Sequence, residues 1–230
     1  MRYLLLLAIA PGAFIVYKVY KQDTIEKEPA GLIKKLLIAG ALSVIPALIL
    51  EIIASCILDA IWGDSGSIIR IAVDAFIATA LVEEGCKLFF LKRITWNNPE
   101  FNYTFDAIVY AVSVSMGFAI LENIAYVLSN GFGNAIMRAL TAIPGHAVFA
   151  VYMGYNYGLA KLCDAYGSKR GVKRYKKMAL LTSVLLHGFY DYCLMRGTGL
   201  SVLVFFIFVI ILFIITYKNL GKYSFEDQKI

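Results

Sequence analysis

Apolar stretches near residues 3–20, 32–58, 68–91, 105–128, 135–162, 177–196 and 199–217 fill most of this chain. Each is close to the roughly 20 residues that a helix needs to cross the hydrocarbon core of a bilayer. Seven such runs in 230 residues leave no room for a separate soluble domain. Composition agrees, with 60% of residues hydrophobic and 17% charged, against about 45–50% apolar in an average soluble domain. The chain therefore reads as an all-α, polytopic membrane protein with about seven transmembrane helices, an eighth being admissible. It is expected to form one integral membrane domain over 1–230.

The formal charge of +6 does not point to nucleic acid, because the basic residues lie in short loops between apolar runs without a recognition motif. They set orientation instead. Segments 18–35, 87–100, 161–177 and the tail from Lys218 hold 18 of the 22 Lys and Arg residues, while Arg2, Arg70, Arg138 and Arg196 fall on the alternate side. Short loops rich in Lys and Arg stay in the cytoplasm. The expected topology in the cell membrane is multi-pass, with the N-terminus outside and the C-terminus cytoplasmic. Arg2 before Leu4–Leu7 resembles the start of a signal peptide, but the apolar run continues to Val19 and its positive flank follows it. A retained reverse anchor fits that order.

Cys56, Cys86, Cys163 and Cys193 are scattered without a CxxC spacing and are expected to be free, packing thiols. Loop signatures fall at Gly63-Asp64-Ser65-Gly66, Asn97-Asn98-Pro99, Asn130-Gly131-Phe132-Gly133, Gly167-Ser168 and Gly197-Thr198-Gly199. Gly154 and Gly158 make a small-xxx-small pair that is expected to pack a neighbouring helix of the same chain.

Against this apolar background the acids and histidines stand out. A charge at the bilayer centre costs roughly 2.5–3.5 kcal/mol, so such residues face the bundle interior or a water-filled cavity. Glu83 and Glu84 precede Lys87 in one span, Glu122 and Asn123 lie inside the next, and His146 and His187, the two histidines of the chain, each lie mid-span. Glu83 with Lys87, and His187 with Asp191, are four residues apart and so share a helix face. An Asp one turn after a His orients the imidazole. At 1.5 Å per residue, Glu122 computes about 25 Å from the start of its span, more than ~10 Å from the level of Glu83. Asp74 is expected to pair with Arg70, Asp106 suits the first turn of a helix, and Glu51 has no evident role.

The set Glu83-Glu84-x-x-Lys87, Gly117-Phe118-x-x-x-Glu122-Asn123, His146 and His187-x-x-x-Asp191 resembles the PrsW family of membrane proteases, within the wider superfamily of CAAX prenyl proteases and bacteriocin-processing membrane proteins. The resemblance covers roughly residues 80–192. Lys87 and Glu122 stand where the wider superfamily often has Arg and His, which favours the PrsW branch. It implies site-1 cleavage of a membrane-anchored anti-sigma factor, outside the membrane, in a regulated proteolysis cascade. The residues themselves support glutamate-type intramembrane proteolysis by a four-helix core over about 68–196. Glu83 or Glu84 is then the general base, His146 and His187 position water and the oxyanion, and Lys87, Glu122, Asn123 and Asp191 support them.

Two His and several carboxylates also match the ligands of a catalytic metal such as zinc, with His146, His187, Glu83 and Glu122 as candidates. No His-Glu-x-x-His element is present, and metal-free chemistry is the first expectation, with a metal-dependent membrane hydrolase on the same residues as the alternative. A proton-coupled transporter would also bury acids and histidines, but the inverted repeat common in such carriers is not apparent. A seven-helix receptor or scaffold leaves the Glu and His residues without a role.

Overall fold

The computed structural model describes residues 2–63 and 66–230. The chain forms α1 (Arg2–Gln22), α2 (Ala30–Trp62), α3 (Ile68–Val73), a π-helical segment (Asp74–Leu81), α4 (Val82–Thr95), α5 (Asp106–Leu140), α6 (Ala142–Ala165), α7 (Lys169–Arg196) and α8 (Gly199–Phe225). α3, the π segment and α4 join without a break, so the elements make seven rods that match the seven apolar runs. Among the described residues, five stretches are long and apolar enough to cross a membrane on their own. The protein is an all-α, multi-pass membrane protein. All four cysteines are free.

Residues 106–129 are the axis of the bundle. The most apolar window of this stretch is 78% buried, against 28% in α2 and 22% in α8, whose faces are left for lipid. Glycines let the neighbouring rods approach that axis. A Cβ on Gly40 would lie 1.9 Å from the Val114 carbonyl oxygen, and one on Gly117 would lie 2.0 Å from that of Leu37. α2 and α5 are thus in backbone contact, as small residues permit in membranes. Gly154 and Gly158 do the same for α6, where an added Cβ would meet Ile108 Cα at 2.5 Å and the Thr104 carbonyl oxygen at 2.4 Å. That is the contact within the chain expected for the pair.

Backbone atoms cannot step aside as a side chain can, so overpacking at such a seam costs about 1–3 kcal/mol or more. Gly117→Ala is therefore expected to lower the unfolding midpoint in detergent by roughly 5 °C. Gly31→Ala, where a Cβ would meet nothing within 4 Å, is the matched control and should not lower it. Equal midpoints for the two variants would contradict the backbone contact.

Two local expectations need correction. Asn130-Gly131-Phe132-Gly133 is helical in its backbone hydrogen bonding rather than an open loop. The axis nevertheless bends sharply there. Glu122 and Arg138 would be about 24 Å apart along a straight helix, yet their side chains meet at 2.9 Å. Glycine weakens a helix without ending it. The stop comes at Thr141, three residues before Pro144, whose ring is tolerated only in a first turn. Arg70 pairs with Asp59 of α2, not with Asp74. Asp74 keeps the α-helical spacing from Arg70, its N–H donating to the Arg70 carbonyl, but the Arg70 guanidinium turns to Asp59 of α2.

Asp106 does sit in the first turn of α5. Of the Gly63–Gly66 turn, Asp64 and Ser65 lie outside the described residues.

Candidate active site

Four rods bring the buried acids and histidines to one point. Glu83 and Glu84 open α4 directly after the π segment, on adjacent residues and hence about 100° apart around the helix. Lys87, one turn on, reaches back to both, with Nζ 2.8 Å from Glu83 Oε2 and 2.7 Å from Glu84 Oε1. Its ammonium also lies 3.2 Å from His146 Nδ1 on α6 and 4.0 Å from the centre of the Phe118 ring on α5. Lys87 is 1% exposed, so this residue, counted from sequence with a charged loop, is instead the cation at the middle of the cluster.

His187 on α7 places Nδ1 3.0 Å from Glu84 Oε1 and 4.0 Å from Glu83 Oε2. Its Nε2 is 3.1 Å from Asp191 Oδ2, the expected pairing one turn along α7. Phe149 stacks on the His187 ring at 5.0 Å, and the two imidazole centres are 5.1 Å apart. His146 is held from its other side, with Nε2 3.0 Å from Glu122 Oε2 and its backbone carbonyl accepting from Ser115 Oγ at 3.0 Å. Because Nδ1 faces the Lys87 ammonium, it serves as the acceptor and Nε2–H donates to Glu122.

Glu122 is thus within hydrogen-bonding distance of the site after all. His146 bridges the offset in depth computed from sequence, its ring meeting Lys87 on one side and Glu122 on the other. Arg138 holds it, with Nη2 2.9 Å from Glu122 Oε2 and Nε donating to Asn123 Oδ1 at 3.1 Å. Asn123 Nδ2 reaches the Ala8 carbonyl at 3.4 Å and ties α1 to the same network.

Sequence reasoning missed Arg138 and placed it among the few basic residues of the opposite loops. Its position just past a glycine-containing helix break was the one available signal. Glu51, without a role from sequence, lines the same cavity from α2.

That cavity has a volume of about 420 Å³ and is bordered by Glu51, Glu83, Glu122, Arg138, His146, His187 and Asp191 among aromatic walls. Glu84 does not border it; this carboxylate is fully buried behind Glu83, with Oε2 lacking any partner.

Glu83, Glu84, His146 and His187 each offer one donor atom within 4.8 Å of the others. The sequence placed Glu122 in such a set and the structure puts Glu84 there, because Glu122 meets the ring nitrogen of His146 that points away from the shared point.

A cavity lined by imidazole and carboxylate groups among membrane-length helices fits a membrane-embedded hydrolase. The chain belongs to the PrsW family: the family described as PrsW family intramembrane metalloprotease matches residues 28–216. It is 35% identical over 187 residues to Protease PrsW of Geobacillus kaustophilus, covering 81% of this chain and 77% of that protein. It is 34% identical to Protease PrsW of Oceanobacillus iheyensis, covering 93% of each. Identity to Protease PrsW of Clostridioides difficile is 32%, over 99% of this chain and 94% of the relative. No solved structure matches. The protein is a membrane protease.

Proposed function

We propose that Glu83 is the general base of this protease and that its substrate is a membrane-anchored anti-sigma factor. The observation that carries the assignment is the division between the two glutamates: Glu83 borders the cavity, whereas Glu84 is sealed behind it. In peptide hydrolysis Glu83 takes a proton from water as the oxygen attacks the scissile carbonyl, and returns a proton to the leaving amine. His146 and His187, 5.1 Å apart on the cavity wall, position the attacking water and the developing oxyanion. Glu84 and Asp191 set the His187 ring from its two nitrogens, Glu122 sets His146, and Asn123 with Arg138 sets Glu122. Lys87 keeps the two glutamates together. The anti-sigma factor follows from the family resemblance, and the topology proposed with it puts the cut on the outer side.

A second reading has an observation of its own. Four donors converge, Glu84 has an orphaned oxygen, and both imidazoles present Nδ1 inward with a carboxylate behind Nε2, which is how metal-binding histidines are oriented. Glu83, Glu84, His146 and His187 would hold a divalent metal such as zinc, and the metal would supply a Lewis acid for the scissile carbonyl. It would share with Lys87 three of the groups that the ammonium now contacts.

The test is reconstitution of the full chain with a membrane-anchored anti-sigma factor. The expected result is a single truncated product, and an intact substrate would overturn the proposed substrate. Metal analysis separates the two chemistries. Full activity in metal-stripped protein supports the first, whereas about one zinc per chain, with activity lost on chelation and restored by zinc, supports the second.

A further inference from the structure

At the end of the bundle where α1 finishes and α2 begins, a second group of buried acids lies about 24 Å along α5 from Glu122. Asp23, Glu28 and Asp106 are 1%, 3% and 0% exposed. One carboxylate oxygen from each lies within 4.8 Å of the others. Among the described residues, no Lys, Arg or His nitrogen pairs with any of the three. Lys27, the nearest cation in sequence, spends its ammonium on the backbone carbonyls of Tyr20, Lys21 and Asp23.

Some of the oxygens are satisfied. Asp106 Oδ2 accepts from the amides of Asn102 and Tyr103 at 3.0 and 2.7 Å, and Tyr110 Oη donates to Glu28 Oε2 at 2.6 Å. Asp106 Oδ1 and Asp23 Oδ2 are buried with no partner at all. Each is an acceptor held out of water beside other acceptors, an arrangement that costs several kcal/mol unless a cation or a proton completes it.

We propose that Asp23, Glu28 and Asp106 form a binding site for a hard divalent cation, Ca²⁺ or Mg²⁺, separate from the proteolytic centre. The donors are all carboxylate oxygens, the type that selects such ions over zinc. Their spread, at most 4.8 Å, fits oxygens placed around one ion at 2.3–2.6 Å. The ion would pin the α1–α2 connection to the start of α5. The C-terminal segment is already fastened to that start, through Thr104 N donating to the Gln228 carbonyl and Ile230 N donating to that of Asn102.

Without a cation, burial pushes the Asp23 carboxyl up to about 6, with Asp227 adding to the effect and Lys27 opposing it. Burial pushes Glu28 up to about 7, against the hydrogen bonds of Tyr110 and Asp106 and with Asp23 and Glu100 adding to it. A carboxyl raised in the folded state stabilises the fold below its unfolded value and loses that contribution as pH rises through the folded one. The metal-free protein therefore weakens between about pH 4 and pH 7, the interval over which the carboxyls lose the protons that compete with a cation.

The test uses the full chain in nanodiscs after chelation, with Ca²⁺, Mg²⁺ and Mn²⁺ added separately. The expected result is one equivalent of bound ion by calorimetry and a rise of several degrees in unfolding midpoint at pH 8, shrinking at pH 5.5. Mn²⁺ bound to the unaltered chain, seen by electron paramagnetic resonance, should be displaced by Ca²⁺ or Mg²⁺.

Binding should survive in a Glu83→Gln/His187→Ala background and vanish in Asp106→Asn. That variant keeps an oxygen for the Asn102 and Tyr103 amides, and size-exclusion profiles report whether it folds. No bound ion in the unaltered chain, or binding that persists in folded Asp106→Asn, would overturn the site.

Discussion

Glu83→Gln is expected to lower cleavage of a membrane-anchored substrate by at least ~10²-fold, while the protein accumulates and unfolds as the unaltered chain does. Gln keeps the volume of Glu and its hydrogen bond from Lys87, but it cannot take a proton at neutral pH. Glu84→Gln should lose activity by a different route, because Glu84 Oε1 accepts from Lys87 and meets His187. His187→Ala removes an imidazole that positions water and the oxyanion and leaves Asp191 facing a void, so its activity should fall at least as far, with some loss of stability. Cys86→Ala, between the glutamates and Lys87 in sequence but outside the hydrogen-bonded cluster, should retain near-normal turnover. The measurement is product formation per mole of reconstituted enzyme, with thermal unfolding run on the same preparations. Near-normal turnover in both glutamine variants would make the glutamates structural and place the general base elsewhere in the cavity.

The largest effect on stability is expected at Lys87. Lys87→Met would leave Glu83 and Glu84 adjacent, buried and without their shared cation, and would remove the ammonium from the Phe118 ring. Breaking a buried ion pair from one side costs about 3–5 kcal/mol, and a desolvated cation–π contact about 2 kcal/mol more. The variant should fail to accumulate, or should unfold at least about 10 °C below the unaltered chain in a fluorescence thermal scan. Adding Glu84→Gln to Lys87→Met removes one of the stranded charges and should recover part of the loss. A Lys87→Met protein as stable as the unaltered chain would show that the ammonium does not hold the glutamates together.

The seven rods were legible because lipid accepts only long, nearly uninterrupted apolar runs, and a run of that length is visible without knowing what it packs against. The pairs Glu83–Lys87 and His187–Asp191 were legible for a similar reason: they depend on a helix repeat and on nothing further away. What depends on how rods meet was hidden. Arg138 reaches Glu122 because α5 bends between them, and no local pattern states the direction of a bend. The separation of Glu83 from Glu84 into a residue that borders the cavity and one sealed behind it comes from the rotation of α4, set by contacts with α5 and α7. Asp74 was assigned to the wrong partner because the α-helical spacing from Arg70 is real but a competing carboxylate, Asp59, comes from another rod. Asp23, Glu28 and Asp106 were seen singly or not at all, since they come from a loop, a helix approach and a helix start that are far apart in sequence.

The π-helical winding of Asp74–Leu81 also bears on how chains of this kind can change length. Each of its hydrogen bonds encloses one residue more than an α-helical bond does, so the segment stores a surplus residue immediately before the paired glutamates. A chain lacking one residue here would relax to ordinary α winding and still present Glu83 and Glu84 on the same side of the rod. The same deletion between Val82 and Lys87 has no surplus to draw on, and would swing whatever follows it by about 100°. A one-residue deletion is thus expected to be accommodated ahead of the glutamates and not among them, which makes the stretch before the paired glutamates a slack joint in the register of the protein.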